Sequence, residues 1–345
     1  MDNQVFIGID IGGTNVDALL ADAKGSEIAF TTNSIRQPSK RPVDIVIQTV
    51  LELMEETSEM PCAIGVGVPG LVDPKTGRVD LAVNLSEPSI DLGSILKHEF
   101  SLPVFVDNDA NAYAMAAAKF LFDESVQNLA FITLGTGVGG GLVLNGEIYN
   151  GTKNMAGEIG HTYAGPNLVR CQCGLNGCLE TFVAGPAIAR IAKNAANSDR
   201  ATSLKNVEVL DAAVVFRHAE AGDSVSQEII DEMCGYLARA THMLMMSFDL
   251  QKIMIGGGLS RAGNALLNPI QKEWAKMACQ SSMAAEMLKP DILELCPLDF
   301  RAGTWGAVAI AMNQMCITDS AQDFGVVENG SVRSDEMRPI IKTQI

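Results

Sequence analysis

The sequence predicts a two-domain α/β protein with a cleft between its domains. Apolar strand patterns alternate with stretches of helical spacing, and the length of 345 residues is typical of about two domains. A strand, a glycine-rich turn and a second strand follow one another near residue 5 and again near residue 129. A third glycine run, at residues 256–258, follows another apolar strand. Because these turns end strands in both halves, we expect them to face one another across the cleft.

The first third of the chain predicts a mixed sheet with helices. Short apolar runs rich in β-branched residues end at turn residues, as is typical of strands. Apolar residues between 43 and 54 recur at helical spacing, and an alanine-rich stretch at 112–121 also predicts a helix. The predicted strands of this region are 5–11, 16–20, 28–32, 63–68 and 104–106.

The second half begins with strands at 129–134 and 138–144, and Asn145-Gly146 is typical of the tight turn that ends such a strand. After a cysteine-rich segment the chain is mostly helical, apart from a strand at 252–255. Apolar periodicity is lost after about Thr318. The predicted division is an N-terminal domain of residues 1–120 completed by a helix at about 303–316, a C-terminal domain of residues 121–302, and a polar tail of residues 317–345.

Charge and composition argue against several classes of protein. Lys+Arg number 25 against 41 Asp+Glu, a formal net charge of −16 without a long basic run, so we expect no nucleic-acid partner. The N-terminus lacks the positive start and long apolar stretch of a secretory signal. No segment approaches the roughly 20 apolar residues of a membrane span. We therefore expect a cytoplasmic protein with no membrane partner.

Eight cysteines in a cytoplasmic protein predict metal binding or buried thiols rather than disulfides. Five of them are scattered among apolar neighbours, which predicts buried, inert thiols. These five are Cys62, Cys234, Cys279, Cys296 and Cys316.

The first glycine turn, Asp10-Ile11-Gly12-Gly13-Thr14, is a candidate phosphate site. Glycines let backbone N–H groups approach phosphate oxygens without a Cβ in the way. Asp10 could hold a magnesium ion, directly or through water, and Thr14 could donate its hydroxyl to a phosphate. A ligand-free β-hairpin uses the same glycines, so this turn alone leaves both interpretations open.

Two more turns of this kind are Gly135-Thr136-Gly137, in a run that continues to Gly141, and Gly256-Gly257-Gly258. The G-x-G-x-x-G pattern does not follow the first strand, and no G-x-x-x-x-G-K-[ST] occurs in the sequence. Both of the common nucleotide folds that carry those patterns are therefore disfavoured.

The cysteine-rich segment predicts a zinc site. His161 is followed after nine residues by Cys171-Gln172-Cys173 and then by Cys178. Three thiolates and one imidazole make a closed tetrahedral site, which predicts a structural rather than a catalytic metal. A redox C-x-C pair is the alternative, but it explains neither His161 nor the third cysteine nor the glycines of the loop.

The string from Glu158 to Glu180 resembles the E-x-G-H-x(n)-C-x-C-G-x-x-G-C-x-E signature of the ROK family of sugar kinases and repressors. Nine specified positions fall within 23 residues, so the signal is specific. The three glycine turns, residues 65–70 and residues 106–111 also resemble motifs of the family, and the resemblance covers about residues 5–316. It implies the two-domain actin-like ATPase (ribonuclease H-like) fold, in which both halves grip the nucleotide. It also implies a homodimer.

The resemblance implies an ATP-dependent hexose kinase that acts on the sugar 6-hydroxyl, with glucose as the leading candidate substrate. Asp109 corresponds to the family's catalytic base, whereas Asp107 fits the motif less well. From the sequence alone, Asp109 is also a candidate N-cap of the helix that follows, and both roles are compatible.

The residues implied to bind ligands fall into three sets. The sugar would be held by Gly70, Asn84, Asn108, Asp109, Glu158, His161 and Glu180. ATP would be held by Asp10, Gly12, Gly13, Thr14, Gly135, Thr136, Gly137, Gly256, Gly257 and Gly258, with Mg²⁺ on Asp10. Zinc would be held by His161, Cys171, Cys173 and Cys178.

Three rival functions stay open. One is a kinase for N-acetylmannosamine, fructose, mannose or allose. Many family glucokinases carry a tryptophan close to the asparagine that corresponds to Asn84, and Asn84-Leu85-Ser86-Glu87-Pro88 lacks it. A sugar-responsive repressor is the second, but only four residues precede the first strand of the given sequence. A binding-only relative is the third, and the retained Asp10 and Asp109 argue against it. Polyphosphate also stays open as an alternative phosphate donor.

Overall fold

The computed structural model describes residues 4–37, 40–82, 85, 87–166 and 168–323, with side chains described to residue 316. The elements of the first part are β1 (Val5–Ile11), β2 (Asn15–Asp22), β3 (Glu27–Ser34), α1 (Pro42–Glu55), β4 (Ala63–Val68), β5 (Leu71–Asp73), β6 (Arg78–Asp80), β7 (Ser89–Asp91), α2 (Leu92–Phe100), β8 (Val104–Asn108) and α3 (Asp109–Ala116). The elements of the second part are β9 (Leu129–Leu134), β10 (Val138–Leu144), β11 (Glu147–Ile148), α4 (Glu180–Val183), α5 (Gly185–Ala196), α6 (Ala212–Glu220), α7 (Ser224–Phe248), β12 (Lys252–Gly256), α8 (Asn264–Gln280), α9 (Ser282–Met287), β13 (Leu293–Leu295) and α10 (Ala302–Asp323).

The two five-stranded sheets have similar strand orders and similar strand directions. The first has the order β3-β2-β1-β4-β8, in which β1 pairs antiparallel with β2 and parallel with β4. The second has the order β11-β10-β9-β12-β13, in which β9 pairs antiparallel with β10 and parallel with β12. The predicted recurrence of strand, glycine turn and strand is therefore the start of two similarly built sheets. A small three-stranded sheet, β5-β6-β7, accompanies the first.

The sequence patterns account for most of these elements. β1 and β4 are almost completely buried, as expected of central strands covered on both faces. The hairpin between β10 and β11 has positive φ at both Asn145 (56°) and Gly146 (80°), as expected of an Asn-Gly turn. The helix predicted at 112–121 instead begins at Asp109, and its last part, Ala117–Leu121, has π-helical geometry.

Helices α3 and α10 pack unusually close to the sheets and to each other. A Cβ on Gly141 of β10 would lie 2.2 Å from the carbonyl oxygen of Ala110 in α3. A Cβ on Gly306 of α10 would lie 1.9 Å from the carbonyl oxygen of Ala112. Both distances are far below van der Waals contact, so only glycine allows these backbones to meet. Helix α3 is thereby held between the second sheet and α10.

We propose a domain boundary near residue 120. Each five-stranded sheet lies on one side of that residue, and α10 returns to pack against β1 and β4 of the first sheet. Helix α10 runs to Asp323, past the predicted end at about 316 and into the predicted polar tail. Residues 324–345 of that tail lie outside the described residues.

Of the five scattered cysteines, Cys234 and Cys296 are buried as predicted. Cys62 and Cys316 are half-buried. The prediction is wrong for Cys279, which is exposed near the end of α8, where one face of the helix meets solvent. Within the described part of the chain, every helix is too short or too polar to cross a membrane.

Candidate active site

A cavity of about 700 Å³, here called the central cavity, opens between the two sheets. Its walls combine the first two glycine turns with the end of β8 and the residues around the cysteine cluster. The volume of this cavity and its mixture of polar and apolar walls are typical of a small-molecule site. The lining residues that the sequence predicted are Gly12, Gly13, Gly70, Asn108, Asp109, Gly135, Thr136, Gly137, Glu158, His161, Cys173 and Glu180.

The junction between β8 and α3 places two polar side chains at one wall of the central cavity. The Asn108 side chain accepts a hydrogen bond from the Ala110 N–H (2.9 Å) and donates one to the carbonyl oxygen of Gly70 (3.1 Å). Asn108 is therefore the N-cap, and Asp109 is the first residue of the helix. The expectation that Asp109 caps α3 is wrong in register by one residue, although Asp109 Oδ1 also accepts from the Ala110 N–H (2.9 Å).

Asp109 and Asp107 differ in what their carboxylates contact. Burial, assisted by the negative charge of Glu158, raises the pKa of Asp109 to about 6 despite the opposing hydrogen bond from the Ala110 N–H. Asp107 is only 5% exposed, and its Oδ1 accepts from the Asn108 N–H (2.7 Å) and from Asn111 Nδ2 (2.8 Å). Only Asp109 of the two lines the central cavity.

The cysteine cluster has the geometry of a metal site. One ligand atom from each of His161, Cys171, Cys173 and Cys178 lies within 4.8 Å of the others. Cys171 Sγ lies 3.4 Å from His161 Nδ1, and Cys173 Sγ lies 3.5 Å from Cys178 Sγ. Metal–ligand bonds of about 2.0–2.3 Å in a tetrahedron give edges close to these distances. The donor set and its spacing therefore fit zinc.

The other ring nitrogen of His161 is turned away from the thiols. With Nδ1 directed at Cys171, Nε2 lies 3.9 Å from Glu158 Oε2, and both residues line the central cavity. A metal on Nδ1 fixes the imidazole tautomer with the proton on Nε2. The cluster can thus present an N–H donor to a molecule in the cavity.

Glu180 connects the cysteine cluster to the second glycine turn. Its Oε2 accepts a hydrogen bond from the Val138 N–H (3.1 Å), and its Oε1 lies 3.6 Å from Cys171 Sγ. A Cβ on Gly137 would lie 2.8 Å from Oε2, so the glycine makes room for the carboxylate. Glu180 is half-buried and lines the central cavity.

Asp10 lies in a second, smaller cavity of about 290 Å³, here called the Asp10 cavity. Burial and the negative charges of Asp109 and Asp17 raise the pKa of Asp10 to about 8. Asp17 is its direct partner across the β1–β2 hairpin. A Cβ on Gly303 would lie 1.9 Å from Asp10 Oδ2, so the first turn of α10 closes over the carboxylate. A bound cation would relieve the repulsion among these acids.

A third cavity of about 680 Å³, here called the outer cavity, extends from the second glycine turn over α5 and α6. Its walls include the apolar side chains of Pro186, Phe216 and Leu259. Gly135 and Thr136 line both the central and the outer cavity, and Arg261 lines both the outer and the Asp10 cavity. The Asp10 cavity also shares Tyr113 and Thr133 with the central cavity, so the three cavities adjoin one another.

Most of the predicted site residues line the central cavity. The described ones that do not are Asp10, Thr14, Gly256, Gly257, Gly258, Cys171 and Cys178. Asp10, Gly257 and Gly258 line the Asp10 cavity instead. Gly256 lies in the core, where a Cβ would be 2.4 Å from the Phe131 ring. Thr14 is exposed at the hairpin tip, and its carbonyl oxygen accepts from the Ile35 N–H (2.8 Å). Asn84 lies outside the described residues.

Sequence reasoning missed the outer cavity and several residues around the junction. Arg261, Tyr113, Asn111 and Asn150 contribute to the site region. Arg261 lies three residues after the third glycine turn, so its position was the one available signal. Asn111 and Asn150 are 39 residues apart, and nothing in the sequence links them.

Comparisons with known proteins agree with this architecture. The model of the ROK family matches residues 6–314. A glucokinase of Halalkalibacterium halodurans is 34% identical over 290 residues, which are 81% of this chain and 87% of the relative. A xylose repressor of Caldicellulosiruptor bescii is 27% identical over 90% of this chain and 78% of the relative.

A solved structure is similar over nearly the whole chain. It is a ROK family glucokinase from Streptomyces griseus in complex with glucose and AMPPNP, with a TM-score of 0.74 and 28% identity. The similarity covers 90% of this chain and 99% of that one. The predicted two-domain actin-like ATPase fold is thereby confirmed.

Proposed function

The chain belongs to the ROK family, and we propose that it is an ATP-dependent hexose kinase that phosphorylates the 6-hydroxyl of its sugar, with glucose as the preferred substrate. The observation that carries this proposal is the central cavity. One space joins a carboxylate, a set of polar groups suited to sugar hydroxyls, and two glycine turns suited to phosphates. Glucokinases among its relatives support the same activity.

We propose Asp109 as the catalytic base. Its carboxylate lines the cavity at the first turn of α3, whereas the Asp107 carboxylate is buried and occupied by hydrogen bonds. In a loose phosphoryl-transfer transition state the base mainly orients the attacking hydroxyl and accepts its proton late. Asp109 would accept the proton of the sugar 6-hydroxyl, while the oxygen forms a bond to the γ-phosphorus and the bond to the β-phosphate breaks.

The hexose would lie among Gly70, Asn108, Glu158, His161 and Glu180, with Asn84 as a further predicted contact outside the described residues. The Asn108 amide is held at the cavity wall by its bonds to Ala110 and Gly70. Carboxylates accept hydrogen bonds from hydroxyls, and the His161 Nε2–H would donate one. Together they provide acceptors and donors around a ring whose hydroxyls need both.

The phosphates of ATP would lie along the backbone of the first two glycine turns, and the adenosine in the apolar outer cavity. Polyphosphate has no group to fill the outer cavity, so ATP is the better donor for this shape. Arg261 reaches the space between the outer and Asp10 cavities and would supply positive charge near the phosphates. A magnesium ion, when bound by Asp10 directly or through water, would neutralise phosphate charge.

The zinc site would have a structural role. Four protein ligands leave no open position, so the metal would shape the pocket without contacting a reacting atom. His161 would orient a sugar hydroxyl through Nε2, and Glu180 would remain fixed between the cluster and Val138. Loss of the metal should therefore affect sugar binding before ATP binding.

A kinase for N-acetylmannosamine, fructose, mannose or allose remains the alternative, since the polar groups of the cavity suit hexoses in general. A ROK repressor is the second alternative, because a xylose repressor aligns over 90% of the chain. Phosphate transfer to a sugar distinguishes the kinases from the repressor. We also propose a homodimer, as implied by the family resemblance, and a cytoplasmic location, where ATP and free hexoses are available.

The test of the proposed function is an ADP-release assay across glucose, mannose, fructose, allose and N-acetylmannosamine, with ATP and with polyphosphate as donors. Polyphosphate turnover is followed as sugar phosphate. We expect ATP-dependent turnover, highest with glucose. Turnover highest with another hexose would move the assignment to that sugar. Hexose binding without phosphate transfer from either donor would favour the repressor.

The pH dependence of kcat/KM for the hexose tests Asp109 as the base. Because its pKa is raised to about 6, the carboxylate should protonate as pH falls through 6, rather than through its ordinary value near 4. We expect kcat/KM to fall about tenfold per pH unit below that point. Glu158→Gln removes a negative charge that raises this pKa, so its limb should lie at lower pH. An acid limb near pH 4 would argue against the assignment.

Cys173→Ser tests the zinc proposal with little loss of packing, because Cys173 is exposed whereas Cys171 and Cys178 are buried. We expect about one zinc per wild-type chain, little in the variant, and a hexose KM raised about tenfold or more with the ATP KM little changed. Cys279→Ser, at an exposed cysteine outside the cluster, is the matched control and should behave as wild type. Wild-type protein without zinc would refute the proposal.

A further inference from the structure

A hydrogen-bond network joins the junction of β8 and α3, which carries Asp109, to a loop that also lines the central cavity. Asn111, only 5% exposed, uses Nδ2 to donate to Asp107 Oδ1 and to Asn150 Oδ1, both at 2.8 Å. An amide nitrogen has two hydrogens, so each bond takes one of them. Asp107 and Asn111 flank Asp109 in sequence, and Asn150 follows β11 of the second sheet.

Asn150 is the second residue of a loop, residues 149–158, that we call the sugar loop. The Asn150 carbonyl oxygen accepts from the Ala156 N–H (3.1 Å), which closes this loop on itself. Positive φ at Gly151 (70°), Asn154 (55°) and Gly157 (89°) gives the chain its tight path. The loop side chains that line the central cavity are Asn154, Met155, Ala156 and Glu158.

We propose that Asn111 and Asn150 are positioning residues. Their hydrogen bond holds the sugar loop against the N-terminus of α3, which carries the catalytic carboxylate. The inference rests on the proposed hexose kinase activity. Neither residue is required to touch the reacting atoms. Their bonds fix the distance between two walls of the cavity, one with Asp109 and one with Glu158.

The chemistry of Asp107 explains why this network is specific. Burial raises the pKa of the Asp107 carboxyl, and hydrogen bonds from Asn111, the Asn108 N–H and Asn150 oppose that effect. A buried carboxylate must keep its donors, since an unsatisfied one is costly. Asp107 therefore holds Asn111 in a single orientation, and Asn111 in turn presents one N–H to Asn150. The loop follows any movement of this amide.

The consequence for the reaction is geometric. Misplacing a reacting group by about 1 Å can lower a rate by about 100-fold, even when the change lies away from the chemistry. Releasing the sugar loop moves Glu158 and its neighbours relative to Asp109. Sugar affinity should fall first, because the loop contacts the sugar, whereas the glycine turns that take the phosphates keep their own supports.

The primary variant is Asn150→Ala. Asn150 is half-buried, and its truncation leaves the bond between Asp107 and Asn111 in place. We expect the hexose KM to rise about tenfold, with the ATP KM close to wild type. The melting temperature should fall modestly, because Asp107 loses one of its hydrogen-bond donors. Hydrogen exchange of the peptide covering residues 150–158 should accelerate about tenfold without sugar, because residue 150, whose carbonyl oxygen accepts from the Ala156 N–H, is no longer anchored to Asn111.

Thr152→Ala is the matched control, an exposed polar residue of the same loop that is absent from the cavity wall. It should leave KM and exchange unchanged. A cycle with Asn111→Ala adds a second readout, in which the double variant has a hexose KM no higher than Asn111→Ala alone. If Asn111→Ala fails to fold, Asn150→Ala and its control decide the question.

Two results would overturn the inference. One is an Asn150→Ala enzyme with unchanged hexose KM and unchanged exchange. The other is a lowered melting temperature with no change in KM, which indicates a purely structural role. A wild-type protein that transfers phosphate to none of the hexoses would instead refute the proposed function, and the exchange measurement would still test the link between Asn150 and the loop.

Discussion

The close packing of helix α3 is the constraint on which the rest of the site depends. Gly141 of the second sheet and Gly306 of α10 allow the α3 backbone to approach within distances that any side chain would prevent. The helix cannot move without disturbing both neighbours. Its N-terminus, which directly follows β8, therefore presents Asn108 and Asp109 at one fixed place between the sheets. The two glycines thereby fix the position of the Asp109 carboxylate.

Negative charge dominates the space around that carboxylate. Burial raises the pKa of Asp109 to about 6 and of Asp10 to about 8, and the two acids also oppose each other's ionisation. Such a site favours a bound cation and a base that ionises within the physiological range. The glycine turns add N–H groups without adding charge, and Arg261 adds the positive charge that those turns lack.

The sequence was most informative where the residues of a motif are close together in the chain. The strand–turn–strand units and the string from Glu158 to Glu180 predicted the sheets, the fold family and the four candidate metal ligands. The limits were equally specific. Asn108 rather than Asp109 caps α3, because either residue type can cap and only the backbone register decides between them. The outer cavity is built by α5 and α6 from residues of ordinary helical composition. The bond from Asn111 to Asn150 depends on tertiary packing, which no local pattern records.

Asp109→Asn provides the most direct test of the central claim that the α3 N-terminus delivers the catalytic base. The change keeps the size of the side chain and an Oδ1 that can accept from the Ala110 N–H, but it removes the carboxylate that accepts the proton. The account predicts a kcat lowered about 100-fold or more for the preferred hexose, with little change in ATP affinity. Turnover close to that of the wild-type enzyme would contradict it, because another group would then have to accept the proton.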